Sequence, residues 1–154
     1  MSRHRLVSMF LSLALGNALL AGCGASGPHT VPGIGGAEPA LKMADLHSMP
    51  HDVQAAPAAV QDAYRFAAAN PEVLQQLPCY CGCGSMGHAS NYACYIAGQD
   101  AGGALEFDSH ALGCSICVDI TLDAMRLLRD GRTVPEIKAY VDATYARYGP
   151  SNMP

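Results

Sequence analysis

Residues 111–149 read ALGCSICVDITLDAMRLLRDGRTVPEIKAYVDATYARYG, and this stretch decides the fold. From Ala111 a helical pattern runs through Leu112, Ile116, Ile120 and Leu127 and ends at Gly131. Thr133 with Glu136 three residues on forms a capping box, and Pro135 sits in the first turn. Ile137, Tyr140, Val141 and Tyr145 make the inner stripe of that helix, and Gly149-Pro150 ends it.

The same period appears upstream. Behind Pro57, Val60, Ala63, Tyr64 and Ala67 recur at helical spacing. Asn70 then caps a short second helix with Pro71 and Glu72 in its first turn. Val73, Leu74 and Leu77 supply its apolar side, and Pro78 stops it. Strand-like alternation is nearly absent, so the sequence predicts an all-α domain, a small bundle of about four helices. A long Gly- and Cys-rich loop over 79–110 interrupts it, irregular except for a turn around Tyr92 to Ile96. A core of fewer than about 100 residues is marginal alone and gains from a metal or crosslinks.

With 154 residues the chain supports one modest domain, expected over 57–150. Residues 1–22 read as an export signal: Arg3, His4 and Arg5 precede an apolar run from Leu6 to Leu20 that is too short to span a bilayer comfortably. The run ends in Leu20-Ala21-Gly22-Cys23, which looks like the lipobox of bacterial lipoproteins. In that pattern Cys23 is acylated and becomes the first residue, and its acyl chains tie the protein to the membrane. The expected location is therefore the extracytoplasmic face of the cell membrane. Residues 23–56, rich in Gly, Pro, Ala and Ser, read as the lipidated start and a flexible tether. Its distal end holds Met43, His47, Met49 and His51, soft donors for copper on one reading and a solvated linker on the preferred one. The net charge of −4 becomes −6 without Arg3 and Arg5, which gives no footprint for nucleic acid.

Seven cysteines are too many to be incidental, and six lie between 79 and 117. Pro78-Cys79-Tyr80-Cys81-Gly82-Cys83-Gly84 places three of them at alternate positions, with Gly82 and Gly84 leaving room for a tight curl. Thiols two residues apart bridge each other poorly, so ligation of one or more ions explains the run better. His88 and Cys94 follow. His110, Cys114 and Cys117 stand at i, i+4 and i+7, one face of a helix at about 100° per residue, so all three can point at one centre. Disulfides are the rival reading, because exported thiols oxidise and six allow many pairings. The two histidines favour a metal, since a disulfide framework gives them no role.

At Pro78-Cys79-Tyr80-Cys81-Gly82-Cys83-Gly84 the chain resembles the PCYCGC-motif family of bacterial lipoproteins. Gly87-His88, Asn91-Tyr92-Ala93-Cys94, Phe107-Asp108-Ser109-His110 and Cys114-Ser115-Ile116-Cys117 look like the family's later blocks, as does the helix around Glu136, Ile137 and Tyr145. The resemblance covers about residues 57–150. It implies a metal-binding lipoprotein and carries over no catalytic residue.

Six thiolates with two imidazoles suit Cu(I) or Zn(II), whereas nothing here would hold a carboxylate-preferring ion. Eight ligands divide into two tetrahedral zinc sites, but crowded sulfurs suit shared Cu(I) better, so copper is expected first and zinc second. The expected role is sequestration of Cu(I) or its delivery to a copper-handling protein. Two alternatives stand beside it. One is a thiol–disulfide protein using Cys114 and Cys117, which lacks a βαβ scaffold; the other is a zinc- or disulfide-stapled interaction module. No nucleophile–base pair, carboxylate dyad or phosphate loop marks an enzyme, and Asp108 and Asp119 read as a cap and a solvated face.

Overall fold

The computed structural model describes residues 40–153. The expected signal segment, Cys23 and the tether as far as residue 39 lie outside the described residues. Within them, five α-helices and a small hairpin enclose one core: α1 (His51–Gln54), α2 (Ala58–Ala69), α3 (Pro71–Leu74), β1 (Ile96–Gln99), β2 (Leu105–Phe107), α4 (Ser115–Arg129) and α5 (Val134–Tyr145). Helices stand where the period predicts them from residue 57 onward, with α2 packed on α4 and α4 on α5, while α1 forms inside the expected tether. Their inward faces supply Tyr64, Phe66, Ile120, Ala124, Ile137 and Val141. Each large apolar side chain buried there contributes about 1.5–3 kcal/mol.

The domain packs from further upstream than residue 57. Ala44 and Arg65 exchange backbone contact (Ala44 N–H to the Arg65 carbonyl, 3.1 Å), and the Arg65 guanidinium donates to the Ala44 carbonyl at 2.8 Å. Asn70 takes part in the same seam. It stands at the start of α3, yet its side chain does not cap that helix; it donates to the carbonyls of Phe66 (2.8 Å) and Lys42 (2.9 Å). Met49 and Val53 are buried on this strap, at 5 % and 1 % exposure. Two isolated apolar residues between prolines carry no period, so composition alone reads them as linker.

The domain is mostly helical but not purely so, which corrects the all-α expectation. β1 and β2 pair antiparallel, with an irregularity between Ile96 and Gly98. The turn between them is closed by the Asp100 carboxylate, which accepts from the N–H groups of Gly102 and Ala104 at 2.8 and 2.9 Å. Strands of four and three residues are too short to show alternation in sequence. Their effect is positional. The pairing continues through the Asp108 N–H to the Tyr95 carbonyl (2.8 Å), which brings the segment after Cys94 beside the one before His110.

Apart from the end of α5, which gives way to a 3-10 turn over Ala146–Tyr148 before Gly149, the C-terminal helices match expectation except at two points. The capping box is present, with the Thr133 N–H donating to the Glu136 carboxylate at 2.8 Å. Tyr140, however, is on the outer side, 36 % exposed, with the Arg126 guanidinium 5.5 Å from its ring centre. Tyr145 is the aromatic that turns inward, and its hydroxyl donates to Asp123 on α4 at 2.7 Å. The second difference is that α4 begins at Ser115, not Ala111. Residues 110–112 form a separate 3-10 turn, Gly113 is non-helical, and Cys114 is extended at the helix N-cap.

Candidate metal centre

The cysteine loop leaves α3 through buried Leu77 and Pro78 and enters the core at Cys79. Gly82 takes a left-handed φ of 85°, which a side chain resists, and so reverses the chain between Cys81 and Cys83. A short 3-10 turn over Cys83–Met86 follows. A Cβ on Gly84 would stand 3.3 Å from the Cβ of Asn152, so this glycine lets the C-terminal segment lie across the loop. The glycines of the C-x-C-x-C run therefore do what their placement suggests: one turns the chain and one admits a neighbour.

All six sulfurs and both imidazoles meet on this loop. The Cys79 sulfur is 3.3 Å from Cys81 and 3.4 Å from Cys117. Cys81 is 3.6 Å from Cys117 and 3.4 Å from His110 Nε2, and Cys83 is 3.5 Å from Cys94. All six are free thiols. Sulfurs bound to one ion at about 2.3 Å stand about 3.8 Å apart, so these separations are already close to those of co-ligands. Four groups have every donor atom within 4.8 Å of the others: Cys81, His110, Cys114 and Cys117; Cys83, His88, Cys94 and His110; Cys79, Cys94 and Cys117; Cys79, Cys81 and Cys83. Every residue except His88 and Cys114 belongs to two groups.

His110, Cys114 and Cys117 do converge, but not on a single helical face. The Asp108 carboxylate accepts from the His110 N–H at 2.7 Å and folds the 3-10 turn that carries the imidazole, while Cys117 lies in the first turn of α4. The Cys117 carbonyl is pinned by the buried Tyr95 hydroxyl at 2.8 Å, which also contacts Thr121 Oγ1 at 2.8 Å. Asn91 donates to the same Thr121 oxygen at 2.9 Å. A buried polar network thus fixes the start of α4 against the loop.

His88 gives an independent test of whether a cation fits. Its Nε2 is 3.4 Å from the Asp108 carboxylate, and its Nδ1 is buried with no hydrogen-bond partner. A buried ring nitrogen without a partner is costly unless something binds it. With Cys83, Cys94 and His110 as companions, an ion is the partner that fits. A carboxylate on the far nitrogen is also the usual way to hold a ligating imidazole in its tautomer. Asp108 touches both histidine segments and is itself held, its carbonyl accepting from the Tyr64 hydroxyl at 2.7 Å.

Asn152 closes the centre from the other end of the chain. Its side-chain oxygen accepts from the Cys79 N–H at 2.6 Å, and its own N–H donates to the Cys79 carbonyl at 3.1 Å. Its amide nitrogen donates to the His88 carbonyl at 2.9 Å and approaches the Cys83 sulfur at 3.5 Å. Asn152→Ala is therefore expected to weaken metal binding by about 10–100-fold while leaving the helical signal unchanged, measured by chelator competition and circular dichroism. An unaltered affinity would show that the contacts serve the tail alone.

The residue pattern of this centre decides the relationship. A family model described as a protein of unknown function with PCYCGC motif matches residues 14–154. The chain belongs to the PCYCGC family. Neither the curated proteins nor the solved structures give a match. In this PCYCGC protein the hexapeptide supplies three of the six clustered sulfurs, and the rest of the domain supplies the others.

Electrostatics makes the PCYCGC cluster a place for positive charge. Hydrogen bonds from Cys117 and then Cys94 hold the Cys79 thiol far below its ordinary range, despite burial. The same contacts push the Cys117 thiol far above its range, Cys79 being the larger cause and Cys94 the next. Burial raises Cys81 and Cys83. A bound cation would favour ionisation of the thiols that burial and their neighbours hold neutral.

Each of the eight predicted ligands is thus in the cluster. Cys23 lies outside the described residues. The Met and His run is divided, with Met49 in the core and His47 exposed against Asp45 at 3.1 Å. Asp108, Tyr95, Thr121 and Asn152 were not singled out as supports of the centre. Only Asp108 carried a local signal, as a cap two residues before His110.

Proposed function

We propose that the chain is a lipid-anchored protein of the cell envelope that binds Cu(I) for sequestration or delivery. The observation that carries this reading is the sharing of donors: six of the eight belong to two groups at once. Cu(I) accepts two or three thiolates and forms clusters in which sulfurs bridge ions, while tetrahedral zinc sites are better served by separate sets. Two of the groups consist of three cysteines each, the coordination Cu(I) favours. The leader and the Leu20-Ala21-Gly22-Cys23 sequence support acylation of Cys23. No helix of the described residues is long and apolar enough to cross a membrane. A copper-handling protein of the envelope is the natural recipient.

Anaerobic purification of the full chain, followed by Cu(I) titration against a competing chelator and thiol counting on the same sample, tests this. The expected result is more than one Cu(I) bound per chain, with release of protons from the neutral thiols. Saturation at two Zn(II) with weaker Cu(I) binding would replace copper by zinc. Three disulfides in folded, metal-free protein would replace ligation by a staple, and reversible oxidation of Cys114 with Cys117 alone would favour the thiol–disulfide role.

A further inference from the structure

The cluster is not uniform from one side to the other. Cys79, Cys83, Cys94 and Cys117 are 0–1 % exposed, whereas Cys81, His88, Cys114 and His110 are half-buried. Three of those four half-buried donors, Cys81, Cys114 and His110, fall together in the group completed by Cys117. Cys114 differs from the other sulfurs in three further ways. It belongs to this group alone, so it bridges nothing. It hydrogen-bonds no other sulfur among the described residues, whereas the other five all do. It also forms part of the wall of a cavity of about 270 Å³, lined by Leu112 at the end of the 3-10 turn and by Val118 in the first turn of α4. His88, the other donor found in one group only, has just 12 % side-chain exposure and faces Asp108.

We infer that the cluster exchanges metal at one end, with Cys114 as the ligand that leaves first and the cavity beside it as the approach for an incoming thiol. This rests on the Cu(I) reading above and adds a direction to it. In the exchange step a new sulfur–copper bond forms as the Cys114 sulfur–copper bond breaks, and the proton of the incoming thiol passes to Cys114. Copper stays Cu(I), so no oxidant or reductant is required. The first ion leaves from the group of Cys81, His110, Cys114 and Cys117. Ions held by the inner sulfurs leave only after it, because each inner sulfur is both buried and shared.

Release from the Cu(I)-loaded full chain to excess bathocuproine disulfonate, followed by stopped flow, tests the order. The expected trace has a fast phase and a slow phase separated by at least about tenfold in rate. Cys114→Ser should remove the fast amplitude or accelerate it by about tenfold, with the slow phase unchanged. Cys94→Ser should alter the slow phase alone. Where a variant fails to fold, alkylation mapping of the wild-type chain gives the same answer: Cys114 should become reactive at the rate of the fast phase while Cys83 and Cys94 stay protected. A single phase in the wild type, an unchanged fast phase in Cys114→Ser, or simultaneous labelling of all six thiols would overturn the inference. A chain that retains no Cu(I) on desalting would overturn the copper reading instead.

Discussion

Cys117→Ser is expected to lower affinity for Cu(I) by more than about 100-fold. Cys117 is fully buried, is placed by the first turn of α4, and stands within 3.4 and 3.6 Å of two other sulfurs. It also belongs both to the outer group with His110 and to the inner trio with Cys79 and Cys94. A serine hydroxyl is a harder, neutral donor, so both groups lose a ligand at once. The fold should tolerate the change better than the site does. Tyr95 holds the backbone carbonyl of residue 117, not its side chain, and the cost of a buried hydroxyl is about 1–3 kcal/mol. Chelator competition gives the affinity and thermal melting of the metal-free protein gives the cost. Wild-type affinity in this variant would remove Cys117 from the ligand set.

Stripping the metal from the loaded chain should lower Tm by about 15 °C or more while leaving most of the helical signal in place. Ligand present at about a thousand times its Kd adds about 4 kcal/mol to the folded state, and each kcal/mol moves a domain of this size by several degrees. Part of the core does not depend on the centre. Phe66, Ile120, Ala124, Ile137 and Val141 pack between α2, α4 and α5. The cysteine loop has little of its own, since between Gly82 and Ala89 the chain is mostly exposed and held by a short turn and by Asn152. Melting followed by circular dichroism with and without chelator measures the difference. Superimposable curves would mean that the thiols bind no ion of consequence to the fold.

The helices were legible because their signals are local. A capping box and a 3.6-residue period need only a dozen neighbouring residues, and Thr133, Glu136, Ile137 and Val141 provide them. The clustering of the eight donors was legible for a different reason: crowded cysteines have few other uses outside a disulfide framework. What escaped was the means of convergence. Helical spacing placed His110, Cys114 and Cys117 on one face, and the chain instead brings them together with an Asp108-capped turn, a break at Gly113 and an N-cap. The hairpin escaped because its turn is closed by one aspartate side chain and its strands are shorter than a readable alternation. Met49 and Val53 escaped because burial across a strap between prolines leaves no period. Asn152 escaped because it acts on Cys79 across 73 positions, and a lone asparagine near the end of a chain carries no pattern.

That distance has a consequence for how the centre is made. Every donor of the cluster precedes Asn152 in the chain, so a polypeptide that emerges in order presents all eight before the residue that fastens them. The sulfurs can therefore meet an ion while their loop is still unlatched, and the segment around Asn152 fastens the loop afterwards. A chain cut after Gly149 would keep every donor and lose the latch, so collecting an ion and fastening it are separable acts.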